Sequence, residues 1–403
     1  MKTTFLTGAL AAALAFAWPS VEPCAAQTPP SSPIRIMVMS DQSGPYSASS
    51  GLGGVAAARL ASSELSDTVL GRPVEIVARN HQNKPDVGLA LARKFYVEEN
   101  GDAIVDIGNS AISLAVQDLA RSIGKIVIHV GSAHADLFGK DCSPTSAMWL
   151  YDTASLARAL TKAVSGVGLH DWYFIAADYA AGTIMVADET RELNALGARV
   201  AGSTRVPLGT ADFSGPLLQA QGSGADVISV ATFGQDAQNL IKQAAEFHVQ
   251  QKIVGSILDI ATIKGLGEPA TGVLTLAEFY WNQDDQTRAF AKLFAQHFEG
   301  KMPTDMQAAD YSATRHYLRA IAAAGTTDGV QVMKEMKLMP VDDVYARNLH
   351  LREDGRLVND MLLVQVKPMS ERVNDWDVFK IVSRVPGQDG IRPLADGHCS
   401  PVK

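Results

Sequence analysis

The stretch IRIMVMSDQSGPY, residues 34–46, sets an apolar run against a polar loop. Ile34–Met39 has strand character without polar alternation, which is how a strand covered on both faces of a parallel sheet reads. It gives way to Ser40-Asp41-Gln42-Ser43-Gly44-Pro45-Tyr46, and a helical stretch, Gly53–Leu65, follows. The same strand, loop and helix unit recurs downstream. Strands are expected at Pro73–Ala78, Ala103–Ile107 and Lys125–Val130, with helices at Pro85–Glu99 and Ala111–Ser122. The series restarts with strands at Trp172–Ala176, Arg199–Val206, Ala225–Ala231, Lys252–Ile257 and Gly272–Phe279. Helices Ala181–Ala195, Ala211–Gln221 and Gln235–Phe247 alternate with them. Such alternation predicts an α/β fold of two doubly wound parallel-sheet lobes. Helices at Thr287–Glu299, Met306–Ala324 and Val330–Lys337 come next, then a hairpin over Leu349–Val366 turning at Asp354-Gly355 and a last strand at Trp376–Val382.

Length and charge narrow the classes of function. A chain of 403 residues is too long for one compact core and suggests two domains. A hydrophobic fraction of 47% with 19% charged residues is that of a globular chain. The net charge of -8 argues against nucleic acid as partner, because neutralising phosphates needs a basic surface.

The N-terminus reads as an address. Met1-Lys2 is followed by the apolar Phe5–Trp18, too short for the roughly 20 residues of a spanning helix. Cys24-Ala25-Ala26 then offers a cleavage site, so residues 1–26 are expected to be a secretory signal and 27–33 a flexible leader. A lipoprotein acylated at Cys24 would want Leu and small residues before it, where Val21-Glu22-Pro23 stand. Cleavage would leave Cys142 and Cys399, an even pair in an oxidising compartment, and a disulfide between them is expected; two unpaired thiols are the alternative.

Catalytic signatures are missing. No G-x-S-x-G elbow occurs, and near Gly139-Lys140 a P-loop fails because His134 and Asp141 stand at required Gly and Ser/Thr positions. Gly51, Gly53 and Ala56 fit a loose dinucleotide pattern, but the loop 40–50 separates them from the strand they should follow. The histidines, His129 and His134 among them, show no zinc spacing. Asp178 and Asp212 read as helix caps, and Glu189, Arg191 and Glu192 as a solvated helix face. No cofactor and no metal are expected, and no enzyme. Parallel sheets bind ligands beyond the carboxyl ends of their strands. The turn Gly108-Asn109-Ser110-Ala111 is such a place: a helix starting there points free N–H groups and a partial positive charge outward, suited to a carboxylate. Asn109 or Ser110 acting only as a cap is the other reading, and the two are compatible.

Taken in order, IRIMVMSDQSGPYS, RNHQNKPDVGLALA, IGNSAISLAVQDLA, VGSAHADLFG, ADYAAG, DFSGPLLQAQGSGADVI, IKQAAEFHV, AEFYWN, MPTDMQAADYSA and RPLADGHCSPVK resemble extracytoplasmic solute-binding proteins of ABC importers, in the type I branched-chain amino-acid-binding family. With Tyr151-Asp152-Thr153, the later segments are similar to a subgroup in which several members bind aromatic carboxylates rather than leucine. The resemblance implies a Venus-flytrap, two lobes joined by three hinge crossovers. It implies residues 34–148 with 275–340 in one lobe, 149–274 with 341–385 in the other, and a 386–403 tail pinned by the disulfide. Carried over by position, Ser110 and the Gly108–Asn109 backbone receive a carboxylate, with Ser132 and Ala133 helping. Ser43, Tyr46 and Ser50 line the first-lobe wall; Tyr179, Ala181, Phe233 and Gly234 cover the ligand.

Two departures bear on the ligand. Amino-acid binders place an acid near Gly255–Ser256 for the ligand ammonium, whereas here the nearest is Asp259. Ala181 stands where relatives have Tyr or Phe, which predicts room for a longer or bulkier ligand. Tyr46, Trp149, Tyr151, Tyr179, Phe233, Tyr280 and Trp281 could supply flat walls, of which about three are expected to touch ligand. The resulting expectation is a monomeric periplasmic protein that captures an aromatic or aryl-alkanoic acid for a membrane permease. Branched-chain amino acids or amides are the alternative ligands, and a sensory module for a membrane receptor is the alternative class.

Overall fold

The computed structural model describes Met1, residues 32–44 and residues 46–399, so the expected signal, Cys24 and most of the leader lie outside the described residues. Six strands form the first sheet: β1 (Ile34–Ser40), β2 (Thr68–Val69), β3 (Arg72–Asn80), β4 (Ala103–Asp106), β5 (Ile126–His129) and β6 (Ser146–Met148), in the order β2-β3-β1-β4-β5-β6. β1 lies between two parallel neighbours, which is why its run lacks polar alternation. The second sheet holds β7 (Asp171–Ala177), β8 (Arg199–Val206), β9 (Val227–Ala231), β10 (Lys252–Gly255), β11 (Leu274–Ala277), β12 (Met361–Val366) and β13 (Phe379–Val385), in the order β13-β12-β11-β10-β9-β7-β8.

Both sheets are mixed rather than wholly parallel. β2 and β3 form an antiparallel hairpin through Leu70-Gly71, both at positive φ, the backbone that a two-residue hairpin turn requires. β12 and β13 also run antiparallel at the far edge of the second sheet.

Helices cover the first sheet as α1 (Gly51–Ser63), α2 (Pro85–Arg93, continued by a wider turn over Lys94–Glu98) and α3 (Ser110–Ser122). In the second lobe lie α4 (Thr153–Gly166), α5 (Ala180–Ala195), α6 (Ser214–Gly222), α7 (Gly234–Glu246) and α8 (Ile260–Leu266). α9 (Asp285–His297), α10 (Asp305–Ala324) and α11 (Gly329–Leu338) return to the first lobe, α9 and α10 packing on α1 and α11 on α10. α9 and α10 each start with a reciprocal capping box, Asp284 with Thr287 and Thr304 with Gln307.

The chain passes between the sheets three times, at 149–152, 278–284 and 339–360. β11 pairs within the second sheet, so the returning first-lobe segment starts after Ala277 rather than at 275. One tyrosine joins the three passages: the Tyr345 hydroxyl donates to Glu278 Oε2 at 2.6 Å and lies 3.2 Å from the Trp149 carbonyl oxygen. Beside it Arg356 and Asp152, both 1% exposed, pair at 2.5 Å.

The hairpin expected over Leu349–Val366 forms differently. Asp354-Gly355 is a turn, with Gly355 at φ 88, but its arms meet in a single bridge, Leu351 to Leu357. The turn docks instead on β6, where Met148 N–H donates to Gly355 O and Leu357 N–H to Met148 O. Edge backbone of the first sheet recruits the segment that looked self-paired.

Past β13 the tail leaves the second lobe. Asp389 pairs with Lys162 of α4 at 3.1 Å, while the Arg392 guanidinium donates to Ala135 O and Phe138 O of the first lobe at 3.0 and 3.1 Å. Cys399 is bonded to Cys142, between β5 and β6, with Cα atoms 5.6 Å apart.

Candidate functional site: an interlobe cleft

The loops beyond the carboxyl ends of the strands converge on a cavity of about 320 Å³. From the first lobe come Asp41, Tyr46 and Ser50 after β1, then Asp106 and Gly108 to Ala111 around the β4 end, and Gly131 and Ala133 after β5. Tyr151 and Thr153 follow β6. The second lobe supplies Tyr179, Ala181 and Met185 after β7, Phe233 after β9, and Ile257 and Asp259 after β10.

At the α3 end, Asn109 is spent on capping. Its Oδ1 accepts the N–H groups of Ala111 and Ile112 at 2.9 and 3.1 Å, and its Nδ2 donates to Asn83 at 2.6 Å. The N–H of Ser113 goes to the Asn109 carbonyl, which leaves the first-turn N–H and the hydroxyl of Ser110 at the cavity. Ser132 stands behind, its hydroxyl 3.5 Å from that of Ser110.

Asp41 shapes the opposite wall by accepting the N–H groups of Gly44 and Tyr46 at 2.7 and 3.2 Å. Burial, helped by Asp41, pushes the Tyr46 phenol up. Across the cleft the Tyr179 and Phe233 rings meet edge to face at 6.0 Å, and burial pushes the Tyr179 phenol up to about 12. Asp259 accepts the Thr262 N–H at 2.7 Å as the α8 cap, and its second oxygen accepts the Ser49 hydroxyl from the first lobe. The two lobes are thus hydrogen-bonded over the cavity.

Asp106 lies fully buried in the floor with Ser50 and Asp310. The Ser50 hydroxyl donates to Asp106 Oδ2, and Asp106 Oδ1 and Asp310 Oδ1 have no partner. Burial pushes both carboxyls up, Asp310 further because of the neighbouring Asp106 charge. Among the described residues lining this cavity there is no Lys, Arg or His.

A second chamber of about 950 Å³ opens outward from the first. Ser110, Ala111, Ala133, Thr153 and Ala181 border both, so the short side chain of Ala181 stands at the neck between them. Arg158, Arg392, His134 and His398 line the outer chamber, Arg392 and His398 from the disulfide-pinned tail.

Of the residues expected at the site, Tyr46, Ser50, Gly108, Asn109, Ser110 and Ala133 border the inner cavity from the first lobe, and Tyr179, Ala181, Phe233 and Asp259 from the second. Ser43, Ser132 and Gly234 do not border it: Ser43 Oγ accepts from Asn80, and Gly234 opens α7 at φ 55. Trp149, Tyr280 and Trp281 are buried elsewhere, bonded to Ser312, Asp377 and the Trp376 carbonyl. Asp41, Asp106, Ser49 and Met306 were not singled out, although the first two sit where a strand ends and its loop begins. Two expectations outside the cleft are corrected. Glu189 is fully buried rather than solvated, accepting from Ser229 and Ser256, because α5 turns it onto the sheet. Asp178 does not cap α5; it is exposed, with Arg205 3.9 Å away.

The sequence profile of the family described as periplasmic binding protein matches residues 33–372. The chain belongs to the periplasmic binding protein family. Solved structures in this family include a periplasmic binding protein of Burkholderia mallei, 35% identical over 92% of this chain and 99% of that one, with a TM-score of 0.84. A branched-chain amino acid ABC transporter periplasmic ligand-binding protein of Burkholderia xenovorans is 36% identical over 91% and 99%, with a TM-score of 0.87. A solute-binding protein of R. palustris in complex with benzoate shares the fold, at 17% identity over 88% and 97% and a TM-score of 0.77. A comparison with curated proteins returns no match. Periplasmic binding proteins of this fold are extracytoplasmic, and among the described residues no helix is long and apolar enough to cross a membrane.

Proposed function

We propose that this periplasmic binding protein is the solute receptor of an ABC importer, that it captures a small organic carboxylate between its lobes, and that it passes the ligand unchanged to a membrane permease. The observation that carries the reading is the N–H of Ser110, with its hydroxyl beside it and 3.5 Å from that of Ser132, at a helix start that faces a cavity walled by both lobes. An anion placed there meets the positive end of α3. Tyr46, Tyr151, Tyr179 and Phe233 around it favour an aromatic or aryl-alkanoic body. Ligand contacts made to both lobes at once favour the closed form. The protein works as a monomer in this reading, with no cofactor.

Amino acids, branched-chain ones included, are the second reading, and the specific observation that favours them is the acidic floor of the cavity. A thermal-shift panel of aromatic acids, aryl-alkanoic acids, aliphatic amino acids and amides tests both. A true ligand at a hundredfold excess over Kd stabilises by about 2.7 kcal/mol. Shifts with leucine or valine alone would refute the aromatic body, and turnover of any compound by the pure protein would refute a receptor role.

A further inference from the structure

We infer that the solute carries a second anionic group, on an arm that passes the Ala181 neck, and that Arg158 and Arg392 in the outer chamber receive it. The inference rests on the receptor reading above and narrows the solute to a dicarboxylic acid. The two chambers differ in charge: no cationic side chain borders the inner cavity, whereas Arg158, Arg191 and Arg392 border the outer one. Much of the outer charge is already spent. Arg191 pairs with Asp188 at 2.7 Å and with Glu192 at 3.2 Å, and Asp136 with Lys140 at 3.1 Å.

Arg158 and Arg392 are different, because the bonds their guanidinium groups make go to backbone carbonyls. Arg158 Nε donates to Asp389 O at 2.8 Å, and Arg392 Nη2 to Ala135 O and Phe138 O at 3.0 and 3.1 Å. Both terminal nitrogens of Arg158 and Nη1 of Arg392 are left for another acceptor, and none of them is shut in as Arg392 Nε is. Arg392 also acts at a distance on Asp152, but that carboxylate is bonded to Arg356 at 2.5 Å. A part-buried guanidinium without a carboxylate is a ready partner for one, and its forked donors fit the two oxygens. His134 adds a donor nearby: its Nδ1 accepts the Asp136 N–H at 3.2 Å, so the neutral ring carries its proton on Nε2. The acid left over is Asp396, an exposed residue of the tail.

The fold sets the length of the arm and its effect. Thr153 stands at the neck, and Arg158 on the same helix lies about 7.5 Å further along the axis at 1.5 Å per residue. Arg158 belongs to the second lobe, whereas Arg392 is bonded to the first, so an anion between them adds a contact to each side and favours the closed form.

Matched probes that differ only in a terminal carboxylate or methyl test this: 2-benzylbutanedioate against 2-benzylbutanoate, and the same pair with one and with two further methylenes. Calorimetry on the wild-type protein is expected to show the diacid of at least one pair binding about tenfold or more tighter than its monoacid. That advantage is expected to shrink between about 20 mM and about 500 mM salt, a readout that needs no variant. Arg158→Gln and Arg392→Gln are each expected to reduce it at least threefold. Monoacids that bind as tightly as their diacids would overturn the inference and leave the receptor reading standing. An advantage that persists undiminished in both variants would also overturn it, since the second carboxylate would then lie elsewhere. No binding by any probe would overturn the inference and the receptor reading together.

Discussion

A single hydroxyl decides much of the proposed anion grip. Ser110→Ala removes one donor to a charged group, and hydrogen bonds of that kind contribute about 1.5–3 kcal/mol. Carboxylate affinity is expected to fall about tenfold or more by calorimetry, with the melting temperature of the empty protein unchanged; equal affinity would remove Ser110 from the site. Tyr345 is a second residue with a local consequence. Tyr345→Phe leaves the buried Glu278 carboxyl without its donor, and a loss of about 1–3 kcal/mol in denaturant unfolding is expected. Residues were legible in the sequence where the chain itself marks them. Asn109 and Ser110 follow a strand and begin a helix, so capping and ligand roles could both be read there. Asp106 carried no such mark, because one acid at a strand end looks the same whether it meets solvent, a cap or a cavity. Glu189 was misread because its place against Ser229 and Ser256 depends on β9 and β10, far along the chain.

Elements were largely readable, since buried parallel strands and amphipathic helices write their periods into the chain. β8 lies at a sheet edge and buries only Val206 fully, while β7 beside it is almost wholly buried. The failure over 349–366 has the opposite cause: the turn at Asp354-Gly355 is local, but its partner is β6, some two hundred residues earlier. The start of α5 bears on ligand size. Ala181→Phe would place a ring at the neck between the two chambers. Aryl acids that fit wholly within the inner cavity are expected to keep their affinity, whereas longer aryl-alkanoic acids lose about tenfold. An equal loss for both would mean that the neck does not separate them.

At the scale of the molecule, buried acids set the pH response. Burial pushes Glu189 and Asp305 up to about 7 and Glu278 up to about 8. Each binds its proton more tightly folded than unfolded, so the stability it adds is complete below the ordinary carboxyl range and is lost as pH rises through 7 to 8. The melting temperature of the ligand-free protein is therefore expected to drop by several degrees between about pH 5.5 and about pH 8.5. Asp152 works the other way but outside that window. Burial raises it, yet Arg356 and the Ser155 amide hold it below its ordinary value. A flat melting profile would mean that the buried acids sit in wetter surroundings than their burial indicates.

The tail has a mechanical consequence. Its root at Val385 belongs to the second sheet, while Cys399 is bonded to the first lobe, so residues 386–398 form a leash in parallel with the three hinge passages. At about 3.5 Å per residue fully drawn out, that leash sets a ceiling on how far the lobes can swing apart along its edge. A single backbone cut anywhere between Cys142 and Cys399 would also leave both fragments fastened together until a reductant is added.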